Sequence, residues 1–294
     1  MISFKIISDI SDVDQVALPD KDECILILSD LLDIPDIEVA YCVFEHSLVV
    51  RICDGGEYVF DYPYLFDGAD ATLTLRAISE YARRELIPLI ITNVPREELS
   101  HVTDLFPLVT AQAFEEDEDL FVVRVENEIS SLGEFPSLTN DGVTLKKIEK
   151  ADADAYFALC TDDEVNRYWG YDYKLDNPNP TPDYFSNVAE GEFDAGVALA
   201  LGIYDGERFV GECVMYDFDY FGSCEIGVRL LRSEQSKGYA GKAIRAIFAL
   251  GRELGLKSTL TRVKSVNAPA IRFVEKYMSF VNESCGERLY KLEL

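Results

Sequence analysis

Between Gln235 and Lys242 the chain reads "QSKGYAGK", with a glycine at 238 and small residues at 240 and 241 just ahead of a helical pattern. A backbone without bulky side chains can approach phosphate oxygens closely. The unpaired N–H groups and positive dipole end of the following helix then attract the anion. Arg232, Lys237 and Lys242 would add positive charge beside it. The same letters also suit a plain strand-to-helix turn whose lysines are merely solvated. Two carboxylates lie in strand-like segments, Glu225 in "SCEIGVRLL" and Glu212 in "VGECVMY". A strand carboxylate aimed into a cleft has a raised pKa and can accept a proton, whereas one facing solvent stays an ordinary acid. Cys224 adjoins Glu225 but alternates to the other face of the strand, as a core thiol would. With only His46 and His101 present, no His-centred relay and no metal site is expected.

These residues need elements to hold them. "DGVTLKKIEKADADAYFALC" has the spacing of a strand and then a helix, and Thr161 stands where another helix would start. "AGVALALGIY" and "RFVGECVMYDFD" flank Asp205-Gly206, a hairpin dipeptide, and "SCEIGVRLL" is a third strand. The helix after the glycine-bearing turn places Ile244, Ile247, Phe248, Gly251 and Leu254 on one stripe, with Gly255 at its C-terminal stop. "STLTRVKSV" follows as a strand, "NAPAIRFVEKYM" as a helix capped by Asn267 with Pro269 in its first turn, and "GERLYKLEL" as an alternating strand. The N-terminal part repeats this plan in worn form. "RAISEYARREL" from Arg76 aligns with "RAIFALGRELG" from Arg245, and strand and helix follow each at the same spacing.

Composition limits the possible functions. At 294 residues the chain is long for one core and sufficient for two domains. Apolar runs such as "ECILIL" are strand-sized, too short to cross a bilayer, so no membrane association is expected. Seven cysteines without a CxxC pair fit reduced thiols in the cytoplasm. Residues 1–140 carry 29 acidic and 8 basic side chains, a net of −21, and the remainder 25 and 19, a net of −6, together the −27 of the whole. That asymmetry suits two domains with different surfaces and disfavours a nucleic-acid backbone as the partner, while leaving room for a local basic patch. Ser, Gly, Pro and Asn cluster at 133–142, where the junction is expected, after an acidic "FEEDEDLF" hairpin tip.

The Gln235-x-x-Gly238-x-Ala240 spacing resembles the phosphate loop of the GNAT superfamily of N-acetyltransferases. "EIGVRLLRSEQSKGYAGKAI" resembles that family's central strand, loop and helix start, and "NAPAIRFVEKY" its later Asn-initiated helix. The resemblance covers 142–294 and leans towards the branch that acetylates ribosomal proteins and small amines. It implies an α+β chain of two GNAT-like domains, each a mixed, mostly antiparallel sheet flanked by helices. Residues 1–135 would form a degenerate copy and 142–294 the acetyltransferase. It further implies acetyl-CoA as co-substrate, with Gln235, Ser236, Lys237, Gly238, Tyr239, Ala240, Gly241 and Lys242 around its pyrophosphate. The pantetheine arm would run along Val228 to Leu230 and touch Asn267, the Val228 amide would face the oxyanion, and Glu225 would be the general base.

The acceptor implied is a primary amine, on a small molecule, a protein N-terminus or a lysine, attacking directly in a ternary complex. Trp169, Tyr171 and Asp172, with Tyr173, are candidates to line its cleft through cation–π and carboxylate contacts. The chain departs from the family in having Val274 where many members carry an acidic tyrosine, and Met278-Ser279-Phe280 where "GF" is usual. Its N-terminal counterpart, "YLFDGADATL", sets Asp67 and Asp70 where phosphate would approach. The alternatives are an acyl-CoA sensor without turnover and a transferase using aminoacyl-tRNA, the second disfavoured by the acidic surface.

Overall fold

A computed structural model describes residues 2–14, 17–85 and 87–294. The chain divides into two compact units, residues 1–126 with 219–221, and residues 127–218 with 222–294. The division precedes the polar cluster at 133–142. Ile129 is already buried in the second core, and Asn127 Nδ2 donates to the Gly196 carbonyl at 2.6 Å.

The first unit runs β1 (Lys5–Ile7), α1 (Lys21–Leu32), β2 (Ile37–Phe44), β3 (Ser47–Asp54), β4 (Glu57–Asp61), β5 (Tyr64–Leu65), α2 (Ala71–Arg84), β6 (Leu89–Pro95), α3 (Arg96–Leu105), β7 (Val109–Ala113) and β8 (Leu120–Val125). Its sheet has the order β1-β2-β3-β4-β6-β8-β7, with β5 on β3. The β4–β6 pair, spanned by α2, is parallel, and its neighbours are antiparallel. The run "ECILIL" lies inside α1, not in a strand: Asp20 caps that helix, and Cys24 and Leu28, four apart, are its buried face. The acids Glu115–Asp119 are exposed at the β7–β8 tip, where water solvates them.

The second unit runs β9 (Leu138–Asn140), β10 (Val143–Lys146), α4 (Ala153–Thr161), α5 (Asp163–Asn166), α6 (Tyr184–Asp194), β11 (Leu199–Asp205), β12 (Arg208–Tyr216), β13 (Ser223–Leu230), α7 (Tyr239–Glu253), β14 (Ser258–Lys264), α8 (Ala268–Val274), β15 (Ser279–Ser284) and β16 (Glu287–Glu293). The sheet order is β15-β16-β14-β13-β12-β11-β10-β9. Again one pair, β13–β14, is parallel and spanned by a helix, α7. From β10 to β15 the order matches the first sheet strand for strand. Both are mixed, mostly antiparallel sheets flanked by helices.

Each face of the second sheet has its own cluster. Ala243, Ile244, Ile247 and Leu250 of α7 pack on Leu201, Cys213, Met215, Cys224 and Ile226. Tyr156, Leu159, Phe185, Tyr204 and Phe209 form a separate cluster with α4 and α6. Alternation along β12 and β13 sends Glu212 and Glu225 away from the α7 side. Several local expectations differ from this structure. Asp162, not Thr161, caps α5, because Thr161 Oγ1 donates back to the Phe157 carbonyl and closes α4. Helix α6 and strands β9 and β15 come without sequence signals as clear as those of their neighbours. Among the described residues no helix is long and apolar enough to cross a membrane.

Candidate active site

Strand β13 is the pivot of the site. Towards β12 it pairs from Tyr216↔Glu225 to Gly211↔Leu230. Towards β14 it pairs only through Ser223, Cys224 and Glu225, although β14 itself continues to Lys264 alongside β16. From Ile226 onward no strand among the described residues pairs with that edge of β13. Backbone donors and acceptors on that edge must find other partners, as an extended ligand would supply. Val228 and Leu230 lie in this open stretch.

Helix α7 starts just beyond it. Gly238 is its N-cap at φ +90° and ψ −2°, the left-handed region, and a Cβ there would meet nothing within 4 Å. Conformation rather than crowding therefore asks for glycine. Ser236 also has a positive φ, 63°. No side chain among the described residues caps α7, so the first-turn N–H groups, from Tyr239, Ala240 and Gly241, are left without a side-chain acceptor, the arrangement that suits an anion. The corresponding helix α2 is closed: the Asp70 carboxylate accepts from Leu73 N at 3.0 Å.

The cations around this loop are less free than their letters suggest. Arg232 pairs with Asp162 at 2.6 Å and Lys237 with Glu234 at 3.2 Å, so neither stands unopposed. Arg208 also holds Glu234, at 2.7 Å, and this hydrogen bond, before the one from Lys237, keeps the Glu234 carboxyl below its usual range. Tyr239 donates its hydroxyl to Asp205 at 2.6 Å, and Gln235 Nε2 reaches the Leu230 carbonyl at 3.4 Å. Among the described residues Lys242 carries no salt bridge, and its carbonyl accepts from Asn140 Nδ2 at 3.1 Å. Of the loop's cationic side chains Lys242 is therefore the one without an ion pair among the described residues, and Glu234 ties together Arg208 and Lys237.

On the other face both carboxylates are engaged. Glu225 is 2% exposed, ion-paired with Arg262, and 3.4 Å from the Tyr216 hydroxyl. Glu212, 3% exposed, accepts from the Tyr156 hydroxyl and from Arg229 Nε, the latter at 2.5 Å. Burial, then the negative Glu212, pushes the Tyr156 phenol well up, so it stays a donor. Cys224 is fully buried among core residues and Cys160, with its thiol pushed up to about 12 by burial, is no nucleophile either.

The aromatic loop is only partly drawn to this site. Trp169 lies against β13: a Cβ on Gly227 would come within 2.8 Å of its ring. Tyr171 is exposed and donates to Asp176 at 2.7 Å, and Asp172 is occupied in capping a short turn through Lys174 N at 3.1 Å. The structure thus brings Trp169 to the strand and leaves Tyr171 and Asp172 on the outer loop. Asn267 caps α8, accepting from Ala270 N at 3.3 Å, which leaves its amide donors for a ligand. Val274 is buried, and Tyr277 packs at a tilt against Phe273 with its hydroxyl close over Gly241. Sequence reasoning gave Arg229 and Arg262 no role, because only strand register sets Arg229 opposite Glu212 and places Arg262 two residues beyond Leu260, the partner of Glu225.

Residues 143–277 match the family model described as Acetyltransferase (GNAT) domain. No curated protein matches the chain. Among solved structures, the chain is similar to spermidine N-acetyltransferase of Vibrio cholerae, solved with CoA and spermine, at 17% identity and a TM-score of 0.44, over 53% of this chain and 96% of that one. RimJ of Mycobacterium smegmatis, solved with CoA-disulfide, gives 17% and 0.44 over 54% and 86%. A GNAT-family acetyltransferase of Bacillus anthracis gives 21% and 0.43 over 54% and 98%. The family match falls on the segment that contains the open edge of β13 and the uncapped start of α7, so residues 143–277 of the second unit are similar to the GNAT acetyltransferase domain.

Proposed function

We propose that residues 142–294 bind acetyl-CoA and transfer its acetyl group to a primary amine by direct attack in a ternary complex. The observation that carries this reading is the placing of an uncapped helix N-terminus at the end of a strand whose edge is open from Ile226. A pyrophosphate fits the first, and an extended amide-bearing arm fits the second. Gln235 to Lys242 would hold the pyrophosphate, Val228 and Leu230 the arm through their backbone, and Asn267 its far side. The Val228 amide would hold the carbonyl oxygen as negative charge develops on it.

Glu225 is assigned as proton acceptor through water, with Arg262 as its counter-ion. Val274 has no proton to give, so the departing sulfur takes one from water. Trp169 would wall the acceptor side, and Tyr171 and Asp172 would meet only the outer part of a longer acceptor, a small amine or a peptide. The first unit is read as a degenerate copy that binds no coenzyme, since Asp70 fills the start of α2. Seven cysteines outside any disulfide, five of them buried, support a cytoplasmic location.

One observation favours a second reading, acyl-CoA binding without turnover: both site glutamates are tied to arginines. The experiment that separates the two follows free thiol while the full chain is incubated with acetyl-CoA and a panel of small amines and peptides. Amine-dependent thiol release, lowered by Glu225→Gln with unchanged acetyl-CoA affinity, is expected. Saturable binding with no release on any amine would leave the sensor.

A further inference from the structure

We propose that Arg229 is a positioning residue that fixes the Trp169 indole over β13 and thereby shapes the acceptor side of the acetyl-transfer site; this rests on the transfer reading above. Arg229 sits in the part of β13 that has lost its β14 neighbour, and its side chain is 10% exposed. One guanidinium gathers four elements. Nε donates to Glu212 on β12 at 2.5 Å, one terminal nitrogen to Asn166 Oδ1 on α5 at 2.5 Å, and the other to Cys160 Sγ on α4 at 3.2 Å. Its carbon lies 4.5 Å from the centre of the Trp169 ring, the spacing of a cation–π stack.

The partners are themselves held. Asn166 Nδ2 donates to the carbonyls of Leu159, Cys160 and Asp162 at 2.7, 3.1 and 2.9 Å, which turns its Oδ1 towards Arg229. The Asn166 carbonyl in turn accepts from Trp169 N at 2.9 Å, anchoring the backbone that carries the indole. The ring then reaches Gly227, two residues from Arg229 on the same strand face, where a Cβ would stand 2.8 Å from it. A lysine could satisfy one of these partners but neither the planar fork nor the stack. The geometry therefore couples a half-buried aromatic ring to the strand segment along which the acyl group would lie. A ring serving only as core would need no such charge, since buried ion pairs contribute little net stability over apolar packing.

Trp169 is the chain's only tryptophan, so intrinsic emission reports this ring alone. In the full chain, Arg229→Lys should shift that emission and raise KM for the acceptor amine about tenfold, with acetyl-CoA affinity within about twofold of wild type. Trp169→Phe should raise the same KM, and it carries the test if Arg229→Lys does not fold. Unchanged emission with unchanged KM in Arg229→Lys overturns the proposal, as does loss of acetyl-CoA affinity in parallel with amine affinity, which a merely structural role would give. If the wild-type chain releases no thiol with any amine, the transfer reading fails. The emission of Arg229→Lys then decides alone, an unchanged spectrum counting against Arg229.

Discussion

Gly238→Glu should lower acetyl-CoA affinity at least about a hundredfold while the chain stays folded. Two effects act together. The residue sits at φ +90°, and a side chain with a Cβ in that region costs about 1–3 kcal/mol, which the loop relieves by shifting. The new carboxylate also stands at the head of α7, where it repels a pyrophosphate and competes for the same first-turn N–H groups. A total near 3 kcal/mol corresponds to the stated loss. Because a Cβ at 238 meets nothing within 4 Å, no core packing is disturbed, and the melting temperature should fall only slightly. Calorimetric titration alongside a thermal melt reads both quantities. Wild-type affinity in this variant would place the phosphates elsewhere.

Glu212→Ala should be the most destabilising single change on the α4 side of the sheet, costing about 3–5 kcal/mol. The carboxylate is 3% exposed and neutralises Arg229, whose side chain is 10% exposed. Removing it strands a buried guanidinium and leaves the Tyr156 hydroxyl without its acceptor. The cost comes from the orphaned charge, so replacing both partners with apolar residues, Glu212→Leu with Arg229→Met, should recover most of it. Chemical denaturation of the three proteins measures the cycle. If Glu212→Ala costs less than about 1 kcal/mol, the pair is not the buried charge pair described here.

The fold was legible where local chemistry is strong. Asp205-Gly206 makes the β11–β12 hairpin, Asn267 caps α8, and Gly255 follows α7 at φ +84° with its N–H on the Arg252 carbonyl. Each of these depends on one residue's own conformational or hydrogen-bonding preference. The hairpin between β2 and β3 turns instead through Glu45 and His46, at φ 44° and 64°, which no residue preference announces. In the site, the loop's glycine and small residues could be read directly. The state of its charges could not, because the partners Asp162, Arg208, Glu212 and Arg262 come from other elements. The counter-ion of Glu225, Arg262, comes from β14 and could not be read from the segment around Glu225.

In the proposed function one unit of the chain, and only one, retains a coenzyme site. Isothermal titration of the full chain with acetyl-CoA tests it most directly, through the stoichiometry. An open α7 start and an α2 start closed by Asp70 predict one site per chain, lost in Gly238→Glu. No saturable binding, or two sites per chain, would contradict the account.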